Sequence, residues 1–489
     1  MKVLYCVSEA VPYAKTGGLA DVAGALPAAL RALGHDVRLV LPRYRSISLE
    51  NLTPLFPLRI EVGGEAVGGL VLEGRSPSEV PVYFVDCPRF YDRAGLYGEG
   101  GRDYQDNLAR FAFFSRAAVT VAAQAFHPDL MHCNDWHTAL VPVYLHQREH
   151  AGQRSWPTVL TVHNIAMQGL FPAQEFPGLG LLEEYFSPDG LEFWGKVNCL
   201  KGGLLFADVL NTVSETYARE IQTSEFGGGL EDLLARRRRE LFGVLNGVDY
   251  SQWDPRVDGY LAVRYGPDDL EGKRFCKRAL QREGGLETLP YAPLLGMVTR
   301  LTDQKGCDLV AAVLPAVLDQ GVQFVLLGTG DPRYHALFTH LARDYPRQVF
   351  AALTFDEGLA HRIEGGADLF LMPSRFEPSG LNQLYSLRYG TIPVVRRTGG
   401  LADSVIDATP AALAEGSATG FVFDTYTPQA FLGALDRALS AFRDPVIWRR
   451  LQQAGMRADF SWDHSAARYA ALYREAVGRR VGGLAGETA

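Results

Sequence analysis

The residues best suited to chemistry lie in short glycine-containing runs, each just past an apolar segment. Thr299-Arg300-Leu301-Thr302-Asp303-Gln304-Lys305-Gly306 carries two cations five apart, a guanidinium fork and an ammonium point charge, a pair that suits a diphosphate. Phe376-Glu377-Pro378-Ser379-Gly380-Leu381-Asn382-Gln383 sets a carboxylate beside a glycine-containing helix start. That pairing offers an acceptor to sugar hydroxyls and N–H donors to phosphate. Lys15-Thr16-Gly17-Gly18-Leu19-Ala20-Asp21 joins paired glycines, an opening helix and a lysine, and it too suits an anion. It is not a GxGxxG run, which counts against a nicotinamide dehydrogenase.

Two further runs read as polar strand ends. His132-Cys133-Asn134-Asp135-Trp136-His137 packs four candidate metal ligands into six residues. Neighbours on a strand alternate faces, however, and no second cluster supplies partners at ligand spacing, so no metal site is expected. Asp135 and His137 can instead bind sugar hydroxyls. Thr161-Val162-His163-Asn164 ends another strand in the same way, which places His163 and Asn164 in the same kind of setting.

These runs need a scaffold that brings strand ends together. Apolar segments at Val3–Val7, Val37–Leu41, Val82–Val85, Val159–Val162, Leu294–Val298, Phe324–Leu327, Leu369–Met372 and Ile392–Val395 alternate with helical patterns, the signature of parallel sheets wrapped by helices. Leu19, Val22, Leu26, Leu30 and Leu33 recur at helical spacing, as do Leu309, Val313 and Val317. Two Rossmann-like units fit better than one large sheet. The boundary is expected near Asn246-Gly247-Val248-Asp249, giving residues 1–245, 246–460 and a tail of 461–489. In that tail Ser461 can cap a helix running to about Val477, with a disordered glycine-rich end. TGGLAD occurs twice, at 16–21 and 398–403, with nothing else repeating around it.

The chain has 489 residues, 47% hydrophobic and 21% charged, with a formal net charge of −8. Such a length suits roughly two to four domains. A mildly acidic chain argues against a nucleic-acid partner, so an anionic ligand must be held by local cations. No apolar stretch approaches the ~20 residues of a membrane span, and the opening run meets Glu9 too soon for a signal peptide. Six isolated cysteines, at 6, 87, 133, 199, 276 and 307, fit a reducing cytoplasm. Only seven of the 48 basic residues are lysines, at 2, 15, 196, 201, 273, 277 and 305. Where lysine persists, a compact ammonium is a candidate requirement.

Taken together, KTGGLADV (15–22), GLYG (95–98), NDWH (134–137), TVHN (161–164), LNGVD (245–249), RLTDQKG (300–306), SRFEPSGLNQLY (374–385) and RTGGLADSV (397–405) resemble the bacterial glycogen synthases and plant starch synthases over nearly the whole chain. These are retaining glycosyltransferases that use ADP-glucose. The resemblance implies an α/β fold of the GT-B type. Two Rossmann-like domains, the first on the acceptor side and the second on the nucleotide-sugar side, turn parallel sheets toward a central cleft, and a C-terminal helix crosses back to the first. It also implies glucose transfer from ADP-glucose to the non-reducing end of an α-1,4-glucan, such as glycogen or a maltooligosaccharide, with no metal or other cofactor.

Carried over motif by motif, the resemblance assigns the catalytic set to Glu377, Lys305, Arg300, His163 and Asp135. Lys15, Gly17, Gly18, Asp21, Asn164, Asn246, Phe355, Ser379, Gly380 and Leu381 fall in the donor site, and Tyr97 and His137 lie around sugar or acceptor. Phe355, where the family tends to carry tyrosine, is expected to stack on adenine. Ser379 replaces a usual cysteine, which a backbone contact tolerates, and Asn382 replaces a usual threonine or isoleucine. No residue stands out as a carboxylate nucleophile, so same-face attack assisted by the leaving phosphate is expected. The alternatives are a retaining transferase using UDP-glucose or a different acceptor, and a non-catalytic glucan-binding protein.

Overall fold

The computed structural model describes residues 1–486, with side chains through Arg480. Contacts gather the chain into two compact units, Met1–Gly247 with the segment from Trp462 onward, and Val248–Ser461.

In the first unit the sheet runs Leu241–Gly243, Val209–Thr212, Thr158–Val162, Leu130–Asn134, Lys2–Cys6, Asp36–Pro42, Pro81–Asp86, Glu65–Arg75, Thr53–Val62. Its first seven strands pair in parallel. Leu130–Asn134 and Thr158–Val162 are buried along their whole length, as parallel strands covered on both faces must be. In chain order the parallel strands read 7-6-5-4-1-2-3, so strand order reverses between Lys2–Cys6 and Leu130–Asn134. The last two strands form an antiparallel hairpin that the sequence reading did not anticipate. It turns at Gly63 and Gly64, both at positive φ, the conformation a two-residue hairpin turn asks for.

In the second unit all six strands are parallel, in the order Val349–Ala352, Gln323–Leu327, Leu294–Val298, Leu369–Met372, Ile392–Arg396, Phe421–Phe423. That is 3-2-1-4-5-6, the Rossmann order, reversing between Leu294–Val298 and Leu369–Met372. The protein is thus α/β with two Rossmann-like units. The anticipated helices appear as Gly18–Ala32 and Cys307–Leu318, burying Leu19, Val22, Leu26 and Leu30 in the one and Leu309, Val313 and Val317 in the other.

The tail needs a correction. Its helix does not stop near Val477 but spans Trp462–Gly486; residues 487–489 lie outside the described residues. Tyr469, Tyr473 and Ala476 are buried in the first unit, and the arginines that follow are tied down. Arg479 reaches Glu475 at 2.8 Å and Glu240 at 3.1 Å, while Arg480 reaches Asp208 at 3.1 Å and also pairs with Glu149. Those contacts offset the poor helix propensity of Gly478. All six cysteines are free and buried, and no helix among the described residues is long and apolar enough to cross a membrane.

Candidate active site

In open α/β sheets ligands bind beyond the carboxyl ends of the strands, where strand order reverses. In the second unit those ends launch the segments from Thr299 and from Pro373. The first bends through a short turn, Asp303–Lys305, into Gly306 at φ +73. A Cβ on Gly306 would lie 2.1 Å from the Pro373 carbonyl oxygen, so only glycine lets the two segments meet. Arg375 N–H then donates to the Gln304 carbonyl at 2.8 Å.

This junction brings Lys305 Nζ to 2.6 Å from Glu377 Oε2, with both side chains largely buried, and Ser374 Oγ donates to the same oxygen at 3.1 Å. Arg300 is exposed and makes no hydrogen bond or ion pair among the described residues. Gly380 sits at φ +68, and a Cβ there would meet Gln383 Oε1 at 2.2 Å. The backbone N–H groups of Ser379, Gly380 and Leu381 donate to no described group, and Ser379 Oγ is buried without a partner. Helix Asn382–Arg388 follows. Asn382 Nδ2 donates to the Val298 carbonyl at 2.7 Å, fastening this helix start to the strand that precedes Arg300. Phe355 is 76% exposed beyond the edge strand Val349–Ala352.

The first unit's reversal point is built differently. Glu9, just past Lys2–Cys6, accepts from Thr16 N–H at 2.5 Å and Thr16 Oγ1 at 2.8 Å, drawing the glycine loop back over the strand end. Lys15 Nζ pairs with Asp21 at 2.7 Å. Gly17 is extended and caps helix Gly18–Ala32, and the space where its Cβ would stand is open. Asp135 ends the neighbouring strand at φ 54 and accepts from His163 N–H at 2.7 Å. Burial pushes the carboxyl of Glu9 up to about 7 against the pull of its Thr16 hydrogen bonds. It does the same to Asp135, against hydrogen bonds from the His163 and Asn164 amides and with a further upward push from Glu9.

His163 is held neutral, its pKa lowered to about 3 by burial. Its Nε2 lies 3.0 Å from Asn134 Oδ1, which places the proton on Nε2 and leaves Nδ1 as acceptor. Asn164 Oδ1 accepts from Ala166 N–H at 3.0 Å. Tyr97 Oη meets Ser8 Oγ at 2.8 Å, and its ring lies 4.5 Å from that of His137. His137 is closed in by Trp136 and Phe111 as well, and its Nδ1 is buried without a partner. Asn246 is buried with Oδ1 unpartnered. Among the described residues no group of three or more His, Cys, Asp or Glu could hold a metal ion.

Arg300, Lys305, Glu377, Ser379, Gly380 and Leu381 therefore lie on adjoining segments of one unit, and Lys15, Gly17, Gly18, Asp21, Tyr97, Asp135, His137, His163, Asn164 and Asn246 belong to the other. Sequence reasoning passed over two residues. Glu9 registered only as the end of an apolar run, although a carboxylate at a strand's carboxyl end was its signal. Ser374 lay inside a recognised motif and gave none.

Residues 2–236 match the family model described as the starch synthase catalytic domain, and residues 289–448 match that of glycosyl transferases group 1. The chain is 53% identical to a glycogen synthase of Anaeromyxobacter dehalogenans strain 2CP-1, covering 97% of this chain and 99% of that one. The chain belongs to the glycogen synthase family. A glycogen synthase of Syntrophotalea carbinolica is 47% identical over 98% of this chain and 99% of its own. Among solved structures, the catalytic domain of starch synthase IV from Arabidopsis thaliana, bound to ADP and acarbose, superposes with a TM-score of 0.90 at 36% identity. It covers 97% of this chain and 99% of that one. Sucrose-phosphate synthase from Thermosynechococcus elongatus shares the fold, at 18% identity and a TM-score of 0.58, over 97% of this chain and 98% of its own. As a member of the glycogen synthase family, the protein is a glucosyltransferase of the GT-B fold.

Proposed function

We propose that the enzyme moves glucose from ADP-glucose to the non-reducing end of an α-1,4-glucan, with retention of configuration and no metal, in the cytoplasm. The observation that carries this reading is the Lys305–Glu377 pair, set beside a free guanidinium and unused backbone amides. Without donor the two charges neutralise each other. A diphosphate outcompetes a single carboxylate for the ammonium, and Glu377, released, turns its oxygens to sugar hydroxyls. Arg300 grips the same phosphates with its fork, and the amides of Ser379 to Leu381 reach the distal one. Departing ADP thus meets cations and N–H groups already in place, which is how preorganised electrostatics lowers a barrier.

Lys15 and Asp21, with Gly17, Gly18, Asn164 and Asn246, are assigned to the donor, and Phe355 to its adenine. His163 stands beside the transferred sugar as a neutral imidazole. Asp135, Tyr97 and His137 contact sugar or acceptor. The Arabidopsis starch synthase IV domain is bound to ADP and acarbose, and ADP is the nucleotide assigned to this site. Attack is assigned to the face that ADP leaves, with the departing phosphate assisting.

The deciding experiment compares ADP-glucose with UDP-glucose on maltooligosaccharide primers, following nucleotide release and chain elongation together. ADP-glucose should be the preferred donor, giving α-linked products. Faster turnover of UDP-glucose would overturn the donor, glucan binding without nucleotide release the catalysis, and a trapped glycosyl-enzyme the same-face route.

A further inference from the structure

Helix Leu140–His150 of the first unit carries His146 and His150 one turn apart on a single face. Their Nε2 atoms are 3.1 Å apart. With metal–nitrogen bonds of about 2.0–2.1 Å, that separation corresponds to an angle of roughly 100° at a shared ion, between the tetrahedral and square-planar values. His146 is the anchored member. Its Nδ1 lies 2.8 Å from Tyr185 Oη, and its ring packs on Phe206 with centroids 4.4 Å apart. A metal-bound imidazole commonly rests its second nitrogen on such a partner, which fixes both tautomer and ring direction. His150, by contrast, is exposed and free to turn its lone pair toward an ion.

We infer that His146 and His150 form a two-histidine site for a divalent first-row transition ion, Zn²⁺, Ni²⁺ or Cu²⁺, separate from the sugar-transfer machinery. In the ion-free protein one proton bridges the two Nε2 atoms. Ligation requires both bare, so that proton passes through solvent to an Nδ1, and each ring stays neutral with no net proton gained or lost. On His146 the resulting Nδ1–H donates to Tyr185 Oη. Burial holds the His146 imidazole below its ordinary value, with His150 and Arg480 adding to the effect and Glu184 opposing it, and Arg480 is itself engaged by Glu149 and Asp208. No third protein ligand completes the set among the described residues, so water fills the remaining positions. Imidazole nitrogen favours these ions over Mg²⁺ and Ca²⁺, which prefer oxygen.

The test is calorimetric titration of the untagged full-length chain with NiCl₂, with MgCl₂ as control, alongside His150→Gln and His146→Gln. The wild type should take up one tight equivalent of Ni²⁺ and no Mg²⁺, and either substitution should weaken that equivalent at least tenfold. Electron paramagnetic resonance of the first Cu²⁺ equivalent should show two imidazole nitrogens, falling to one in His150→Gln. His150 is exposed, so that variant should keep the wild-type melting curve and glucosyl transfer. Absence of saturable Ni²⁺ binding to the wild type, or full affinity in either variant, overturns the site.

Discussion

At the first unit's reversal point two carboxyl groups, Glu9 and Asp135, are held near neutrality by burial. At the second unit's, Lys305 is paired to Glu377 and Arg300 stands free. The strand topology is the same around both. Topology therefore supplies only the place, a gap between diverging loops at strand ends, and the side chains decide the ligand. The repeated TGGLAD makes the same point. At Gly17 the space beside the backbone is open, whereas Cβ atoms on Gly399 and Gly400 would lie 1.9 Å from the Glu377 and Ser379 carbonyl oxygens. One copy leaves room for a ligand; the other clamps the neighbouring loop.

The harshest way to break this contrast is to remove the cation. Lys305→Ala should lower kcat about 10²–10³-fold, the cost of losing one preorganised charge at a developing anion. Lys305→Arg should also lose turnover, because a planar fork does not fit where Nζ meets Glu377. Steady-state kinetics with ADP-glucose checks both, and wild-type rates in the arginine variant would sink the argument for an ammonium.

The two glycine copies can be set against each other next. Gly400→Ala forces a methyl into the Ser379 carbonyl and should cost about 1–3 kcal/mol of stability. Gly17→Ala, with an extended backbone and open space, should cost under about 1 kcal/mol. Urea unfolding of the pair gives the difference, and equal losses would mean that the two copies do the same structural job.

Much of this scaffold was legible because buried parallel strands are short, apolar and β-branched. Leu294–Val298 and Leu369–Met372 were read to the residue. The hairpin at Thr53–Arg75 was not, since its first strand is largely exposed and carries Pro54 and Pro57, which edge strands tolerate. Proximity across the chain was the harder loss. Nothing local says that Glu9 and Asp135 share a reversal point, or that Lys305 closes on Glu377. The scarce lysines were half legible. Lys2, Lys201, Lys273 and Lys277 all donate to backbone carbonyls, so most retained ammonium groups serve the fold, and only Lys15 and Lys305 fit the ligand reading.

A subtler change sharpens the acidic side. The folded-state pKa of Glu9, about 7, lies above the ordinary carboxylate range, so the native chain holds this proton more tightly than the unfolded one. Stability from this group is intact below about pH 4.5 and falls as pH rises toward 7. Glu9→Gln keeps an oxygen for Thr16 but never ionises. It should leave stability unchanged at pH 4 and raise it by on the order of 1–2 kcal/mol at pH 8, read from thermal melts at the two pH values. A variant equally stable relative to wild type at both would remove the buried acid from the contrast.

The smallest expected effect concerns Asn382. Its Nδ2 bond to the Val298 carbonyl ties the start of helix Asn382–Arg388 to the strand feeding Arg300, so the amides and the guanidinium share one rigid base. Asn382→Ala should cost about 0.5–1.5 kcal/mol, the net worth of one such bond, and should raise the donor KM a few-fold with little change in kcat. The split matters more than the size. A merely structural bond would lower stability and leave KM alone, whereas a bond that sets the spacing between phosphate donors shows itself in donor binding. Urea unfolding and donor kinetics on the same preparation separate the two. Loss of stability without any change in KM would show that the cationic reversal point is held in place by the Lys305–Glu377 junction alone.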